Sequence, residues 1–571
     1  MLNKSSQVNN LVVLIFLVSV ITSIISPCYG QWGTPSEQAL NKNNQTGDDD
    51  GGNANAKKHK GPEGPMTPLP YALSSTYLTY LARTEMELYK DIKNYAKTLK
   101  ERLAMAEAYL TDYEDSTIKG TEHLADADEW TKASQVSSNP LMSYRMVRRF
   151  ANEFDVFGAH VNQYLEGKLV ERVNKLGGQF GFPGDRDCND GIDALLRLHY
   201  VYDLKAMDLV NGKIMDVETH VGLTPSQSFK IAEYSARNEY YTLALDWLKA
   251  TEYKIKELND TTVSAFSLAN TYKRLIEKHD RDFEKNRYQG HLYMFSDRIS
   301  TVPDAVPLKN IMMEKYRGDR SDQGEAGHYA FLALCNGDDF LTPKERSKLY
   351  CWIETKRHPY FTIRPLRMEL IYKDPEMIQF HDIIPDAWIK DFRKAAMPTL
   401  QRAPAPNSPG ATPRTAIYAW LEDGHIPDAP IARRMELMFN LNVRGMNASE
   451  ALQIASYAFG GHVSTHYDSL GVRSTDDPII AWKGDRVSTY LVYLNNVEKG
   501  GLTAFPIVGT HIKPIKGTGV YWNTSLKNGN VDMRMLHGAC PIVLGHKWIA
   551  TKWTHLNENF LKRPCDLNPN K

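Results

Sequence analysis

His466-Tyr467-Asp468 sets an imidazole and a carboxylate two residues apart, and His537 follows far downstream in the same C-terminal stretch. A His-x-Asp pair with one distant His is the sequence form of a two-histidine, one-carboxylate facial triad, which holds non-haem Fe(II) and leaves three coordination positions open. Residues two apart on a strand face the same side, so His466 and Asp468 can share one metal if the backbone there is extended. Lys547 lies among Leu544, Trp548 and Ile549. A lysine in such company is ordinarily buried and paired, and its ammonium can hold the far carboxylate of a dicarboxylic acid whose near carboxylate and keto oxygen chelate the metal. His462 stands four residues before His466, a metal-pair spacing on a helix, but Gly460-Gly461 and the β-branched Val463 argue against a helix. His381, His511 and His546 read as structural or exposed.

Strands must position these groups. Residues 454–459, 486–494 and 520–522 are β-rich and separated by glycine turns, and 361–365, 368–372 and 378–382 read as further strands. Residues 386–399 and 431–441 read as helices, and the Pro-rich 403–413 as a mobile loop of the kind that covers active sites. Upstream the period is helical. Leu81, Leu88, Ile92, Tyr95, Leu99, Leu103, Ala106 and Leu110 recur at helical steps, which suits either one helix of an intramolecular bundle or a short self-associating coiled coil. A second helical set covers 142–175. Four short helices follow at 192–206, 225–238, 240–258 and 263–278, and Tyr234, Tyr240, Trp247 and Ala250 fall near tetratricopeptide spacing. Surplus aromatics, Tyr240, Tyr241 and Tyr272 with Tyr234, offer a platform for a polyproline II peptide. Residues 279–321 read as a linker.

The chain has 571 residues, enough for three or four domains, and its formal net charge of zero gives no field that favours nucleic acid. An apolar run at 11–25 behind Lys4, with small residues before Gln31, has the plan of a signal peptide, and no second run is long enough to span a bilayer. The mature protein therefore reads as soluble and lumenal or secreted. Residues 31–70 cannot bury a core and read as a flexible tail. Without Cys28, five cysteines remain; the sequence-local pairs Cys335–Cys351 and Cys540–Cys565 are the economical disulfides, with Cys188 left over and other connectivities open. Sequons at Asn44, Asn259, Asn447 and Asn523 suit the secretory pathway.

Three motifs carry a resemblance: Tyr457-x-x-Gly-Gly-x-x-x-x-His466-x-Asp468, then Gly500-Gly501-x-Thr503-x-Phe505-Pro506, then His537-x-Ala-Cys540-Pro541-x-x-x-Gly-x-Lys547-Trp548. Together they resemble the α subunit of collagen prolyl 4-hydroxylase across nearly all of the mature chain. The resemblance implies a multidomain α + β protein with an N-terminal helical and coiled-coil region, a TPR-like peptide-binding domain and a C-terminal double-stranded β-helix (jelly-roll) dioxygenase domain. It implies these boundaries: signal peptide 1–30, tail 31–70, helical dimerisation region 71–180, peptide-binding domain 181–285, linker 286–330 and catalytic domain 331–571. By the same carry-over His466, Asp468 and His537 bind Fe(II), Lys547 anchors 2-oxoglutarate with Tyr457 beside it, and His555 orients it near the metal. The disulfides Cys335–Cys351 and Cys540–Cys565 match the family's. The implied reaction hydroxylates proline in X-Pro-Gly peptides while O2 and 2-oxoglutarate give succinate and CO2, with ascorbate rescuing oxidised iron. The implied partner is protein disulfide isomerase, the β subunit of an α2β2 tetramer in the endoplasmic reticulum lumen. Ala416-Ile417 departs from the polar Ser-Lys pair expected near the active-site loop and points to an altered substrate preference. Two rivals remain: a lumenal hydroxylase of another peptide, such as a lysyl hydroxylase, which Lys547 disfavours, and a non-catalytic peptide-binding chaperone subunit, which has no need of iron ligands.

Overall fold

The computed structural model describes residues 75–98, 103–154, 175, 182–285, 293–321, 324–402, 415–422, 428–445, 447–469, 471, 482–566 and 568. All of them fall within one unit, Pro65–Lys571. The expected signal segment, tail, Asn44 sequon, 403–413 loop and heptad position Leu99 lie outside the described residues, as do the side chains of Tyr95 and Leu103.

Helices open the described chain: α1 (Ser75–Thr98), α2 (Leu103–Tyr113), α3 (Glu129–Ser138) and α4 (Pro140–Arg148). The Asp128 carboxylate caps α3 and the Asn139 amide oxygen caps α4, each accepting two backbone N–H groups that a helix start leaves unpaired. Leu81, Leu88 and Ile92 of the heptad-like stripe are buried in the chain's own core, so the described part of that seam is a bundle face. Inside the bundle Arg149 binds Glu85 and, at 2.7 Å, Asp112, while Arg145 reaches Asp112 at 2.6 Å. Burial pushes the Asp112 carboxyl up, but Arg149 and Arg145 outweigh it and hold it below the usual range. Gln227 Nε2 also donates to Asp112, at 2.9 Å, which ties this network to the next helices.

Those are α5 (Asp185–Tyr202), α6 (Pro225–Arg237), α7 (Tyr241–Leu258) and α8 (Ala265–Lys285). A Thr224–Gln227 capping box fixes the start of α6, and Trp247, Ala244 and Ala250 are fully buried between the helices. The expected linker is corrected here. Helix α8 continues through the fully buried His279 to Lys285, and Met294, Phe295 and Ile299 join the helical core. Few periodic apolar positions mark this stretch, because aromatic and histidine rings do the packing.

Helix α9 (Glu325–Cys335) leads into the sheets. The strands are β1 (Cys351–Glu354), β2 (Leu366–Lys373), β3 (Glu376–His381), β4 (Gln401–Arg402), β5 (Ile417–Leu421), β6 (Leu452–Tyr457), β7 (Val463–His466) and β8 (Arg486–Tyr493). After them come β9 (Lys499–Gly500), β10 (Thr503–Phe505), β11 (Thr510–Ile512), β12 (Gly519–Asn523), β13 (His537–Ala539), β14 (Ile542–Leu544) and β15 (Lys547–His555). Nine form one sheet in the order β1-β2-β3-β12-β8-β15-β6-β5-β4; four form another, β11-β10-β13-β7; and β9 pairs with β14. Each ladder between these strands is antiparallel. Helices α10 (Asp386–Ala396) and α11 (Asp428–Phe439) cover one face of the large sheet with Ile389, Phe392, Ile431 and Met435, while Tyr457, Tyr493, Trp522 and Ile549 of the large sheet share a core cluster with Phe505 and Ile512 of the small one. The segment 361–365, expected as a strand, falls instead largely in a single helical turn, Tyr360–Ile363, and among the described residues no helix is long and apolar enough to cross a membrane.

The expected disulfides are also corrected. The bond joins Cys335 to Cys540, whose Cα atoms are 5.5 Å apart across 205 positions of sequence; Cys188 is free and buried, and Cys351 and Cys565 are free and exposed. Helix α9 lays Phe331 so close to Gly538 that a Cβ there would come within 2.8 Å of its ring. This packing carries Cys335, at the end of α9, to the residue after β13, while Cys351 sits on the outermost strand of the large sheet. Sequence proximity favours short loops, but packing decides which sulfurs meet. Digestion of the unreduced protein should release a Cys335–Cys540 cross-linked peptide by mass spectrometry, with Cys351 and Cys565 alkylated in the native state and Cys188 only after unfolding.

Candidate metal centre

Strands β7 and β13 pair antiparallel with His466 opposite His537, so two imidazoles come from adjacent strands with ring centroids 4.4 Å apart. Asp468 follows β7 and returns its carboxylate to them, with Oδ1 3.7 Å from His466 Nε2 and Oδ2 3.5 Å from His537 Nε2. One ligand atom from each of the three lies within 4.8 Å of the others. The tautomers are set by the backbone. His466 Nδ1 lies 2.9 Å from the Ser464 carbonyl and His537 Nδ1 lies 3.0 Å from the Met535 carbonyl. A carbonyl only accepts, so Nδ1 carries the proton and the Nε2 lone pair points to the centre. Phe505 stacks on His537 and Trp522 meets it edge-on, with centroids 5.4 and 5.0 Å away.

Burial alone pushes the Asp468 carboxyl up, but His537, His466, Arg486 and a hydrogen bond from Thr489 hold it below the usual carboxylate range. That bond, Thr489 Oγ1 to Oδ2, is 2.6 Å long. Arg486 Nη1 donates to the Asp468 carbonyl at 3.2 Å and forks onto Glu450 at 2.5 and 2.9 Å. Two nitrogens, one carboxylate and an open side are the donor set that suits Fe(II).

The triad opens into a cavity of about 690 Å3. Its walls follow the two-residue period of strands: Lys547, Ile549, Thr551 and Trp553 from β15, Gln453 and Tyr457 from β6, and Tyr418 and Trp420 from β5. Lys547 is 1 % exposed; its ammonium donates to the Gly501 carbonyl at 2.7 Å and reaches Thr503 Oγ1 at 3.3 Å, and burial pushes its pKa down to about 7. Tyr457 stands directly across the ladder from it.

Other expected residues sit differently. His555 is not on the cavity wall: it is fully buried, Nδ1 lies 2.6 Å from the Gly484 carbonyl and Nε2 lies 3.1 Å from Glu450, so it reaches the centre only through Glu450 and Arg486. Ala416 and Ile417 are core residues, and the neighbouring Tyr418 and Trp420 face the cavity instead. Tyr234 donates to Asp193 at 2.8 Å and Tyr240 packs on Tyr293 at 4.5 Å, whereas Tyr241 is buried against Asp282 and Tyr272 bonds Glu252. The four expected tyrosines thus each have a different partner. His462 is held by Thr415, with Nδ1 3.0 Å from Oγ1, away from the triad. Of the sequons, Asn259 is exposed at the end of α7, and Asn447 and Asn523 are half-buried. Thr489, Arg486, Glu450, Trp522 and Trp553 were not among the expected site residues, although counting in twos from Lys547 arrives at Trp553.

Two family models match: one described as the prolyl 4-hydroxylase α-subunit N-terminal region, over residues 74–216, and the 2OG-Fe(II) oxygenase superfamily, over 452–555. Among curated relatives, prolyl 4-hydroxylase subunit alpha-2 of Caenorhabditis elegans is 27 % identical over 459 residues, covering 75 % of this chain and 83 % of its own. Subunit alpha-1 of Mus musculus is 26 % identical over 529 residues, covering 86 % and 94 %. The chain is thus similar to prolyl 4-hydroxylase α subunits over most of its length. A solved viral collagen prolyl hydroxylase from Paramecium bursaria Chlorella virus-1 aligns with a TM-score of 0.25 at 23 % identity, covering 31 % of this chain and 95 % of that one. With the oxygenase match spanning the stretch that carries the triad, the chain is an Fe(II)- and 2-oxoglutarate-dependent enzyme. Outer hydrogen bonds to metal ligands are worth about 10–100-fold in metal affinity. Thr489→Val should therefore weaken Fe(II) binding by about that factor in a metal titration, with secondary structure unchanged by circular dichroism.

Proposed function

We propose that this protein is a procollagen-proline 4-dioxygenase of the endoplasmic reticulum lumen, in which His466, Asp468 and His537 hold Fe(II) and Lys547 anchors 2-oxoglutarate. The observation that carries the reading is the convergence of the three ligand side chains and one buried lysine on a single cavity. When bound, Fe(II) with 2-oxoglutarate and O2 supplies the oxidant that hydroxylates proline, with release of succinate and CO2, and ascorbate restores iron oxidised without substrate. The chain's own residues do the rest. Lys547 pairs with the far carboxylate at the closed end of the cavity, and Tyr457 flanks it. Thr489 and Arg486 keep Asp468 aimed and ionised, and Phe505 and Trp522 keep water from the His537 side. Tyr418, Trp420 and Trp553 form an aromatic wall suited to a proline ring. His555 then acts on the cosubstrate indirectly, by setting Glu450.

The architecture that fits this reading is a jelly-roll catalytic domain over 331–571, behind a TPR-like domain at 181–285 and a helical dimerisation region at 71–180. Tyr234 and Tyr240 are the better peptide contacts, since Tyr241 is core. Secretory entry by the N-terminal segment, glycosylation at Asn259 and assembly with protein disulfide isomerase as α2β2 complete the proposal.

Succinate release should require a Pro-Pro-Gly repeat peptide and vanish in His466→Ala. Turnover that persists in that variant sinks the metal assignment, and turnover indifferent to peptide sinks the substrate assignment. The lysine gives a pH test. Folded, Lys547 loses its proton near pH 7, while an unfolded lysine keeps it to about 10.4. The buried charge therefore weighs against the fold below about pH 7, and that cost is relieved as pH rises towards 10.4. A bound carboxylate favours the protonated amine, so 2-oxoglutarate affinity should fall by up to about tenfold per pH unit above about pH 7. Anaerobic titration of the Fe(II) protein should show this slope, and Lys547→Met should flatten it.

A further inference from the structure

Tyr457 and Lys547 face the cavity from paired positions on β6 and β15. Alternation turns the adjacent Ser456 to the opposite face, and His546 lies in the turn that leads into β15. Both meet the N-terminal helices. Ser456 Oγ hydrogen-bonds Ser75 Oγ at the start of α1. One turn on, the Thr79 hydroxyl lies 2.7 Å from the Ser75 carbonyl and 2.8 Å from Ser137 Oγ at the end of α3. Ser137 Oγ in turn lies 3.0 Å from His546 Nε2, and the Gly545 N–H donates to the Ser138 carbonyl at 2.9 Å. A polar chain thus runs Ser456–Ser75–Thr79–Ser137–His546 and closes on the two strands whose inner faces carry Tyr457 and Lys547.

The hydroxyls of the chain are shielded from solvent, with Ser75 and Thr79 2 % and 7 % exposed and Ser137 and Ser456 fully buried, while His546 at its end is half-buried. Burial leaves a hydroxyl without water, and a buried polar group without a partner costs about 1–3 kcal/mol. Each link therefore depends on its neighbours' positions. Asn495 holds the same turn from the sheet side, its amide donating to the His546 carbonyl at 2.6 Å and its oxygen accepting the Trp548 N–H at 2.7 Å. The turn that aims Lys547 is clamped from the sheet by Asn495 and from the helices by Ser137 and Ser138.

We propose that Thr79 and Ser137 are positioning residues for the cosubstrate, setting 2-oxoglutarate affinity through His546 and Ser456 without touching the ligand. This rests on the reading of Lys547 as the 2-oxoglutarate anchor. It makes the helical N-terminal region part of the cosubstrate site, so a change in α1 or α3 is felt at Lys547.

The test uses the full-length protein in its assembled form. Thr79→Val and Ser137→Ala should each raise KM for 2-oxoglutarate by about 3–10-fold, equivalent to one lost hydrogen bond, with kcat and the KM for a Pro-Pro-Gly peptide unchanged. Thr79→Ser keeps the hydroxyl and should restore the wild-type value, which a merely structural role for the site's bulk does not predict. Wild-type 2-oxoglutarate KM in Thr79→Val, or an equal rise in both substrates' KM, overturns the inference. Lys547→Met run alongside separates the two readings. If it leaves 2-oxoglutarate binding intact, the anchor reading fails and this inference with it; if it abolishes binding while Thr79→Val does not weaken it, this inference alone fails. Should Ser137→Ala not fold, the Thr79→Val and Thr79→Ser pair decides the matter.

Discussion

The antiparallel register that puts His537 opposite His466 is the constraint on which the site depends. A slip of one residue would turn either imidazole to the other face of its strand and leave Asp468 with one partner. The ladder that holds it is short, since β13 has three residues and β7 four, and its register shifts between His537 and Ala539. So brief a pairing needs outside support. Gly538 admits the Phe331 ring, the Cys335–Cys540 bond follows at once, and the Gly460 N–H donates to the Ile542 carbonyl at 2.8 Å. Gly460 has φ of +65°, and a Cβ there would come within 2.6 Å of Ala194, so the bend before β7 requires glycine.

Charge is arranged with equal economy. Lys547 is buried against a carbonyl and a hydroxyl, so among the described residues it lacks the oppositely charged side chain that ordinarily offsets desolvation, and Asp468 is buried against two imidazoles and a threonine with Arg486 as the nearby cation. Such charges weigh against folding. They are retained where ligands complete them, on the proposed reading a cation between the imidazoles and a dicarboxylate at the lysine. The cavity holds a negative and a positive site under one aromatic wall, and a small chelating dianion that bridges metal and lysine fits both.

Much of this was legible in the chain because the catalytic stretch obeys the period of two. His466, Tyr457 on its strand and Lys547 among apolar neighbours follow from alternation, whereas Asp468 lies past the end of β7 and meets the imidazoles by the return of the chain there; helices at 225–237 and 241–258 carry their apolar signals locally. What escaped was long-range. Glu450 precedes β6 and carries no motif; its importance comes from meeting Arg486 and His555, which only strand order brings together. Cys335 pairs across 205 positions because of how α9 packs, which no spacing encodes. Residues 279–299 lack an aliphatic rhythm, yet His279 and Phe295 pack ring to ring at 5.5 Å and are core. Ala416-Ile417 stood out as a departure, but strand parity turns Ile417 to the helix-covered face, and Ala416, though on the face of Tyr418 and Trp420, is buried in the core while those two line the cavity.

Composition separates a helical half from a catalytic half, yet the contacts do not respect that division. The metal-bearing side is gripped from behind by α5, where Arg197 donates to the Gly460 carbonyl at 2.8 Å and Tyr202 to the Pro541 carbonyl at 2.6 Å. The lysine-bearing side is gripped by α1 and α3 through buried hydroxyls. Arg197 lies one helical turn from Asp193, the partner of Tyr234, so a peptide seated on Tyr234 and Tyr240 would press on the same helix that holds the bend before His466. These links join residues 263 to 409 positions apart, and each fastens backbone or a short side chain, which leaves little slack. A catalytic stretch cut free at residue 331 would keep its triad in sequence but lose the braces that fix the bend before β7 and the turn before β15. The helices therefore bear on the geometry of the triad and the buried lysine, and the physical unit of the site is larger than the sheets that carry these residues.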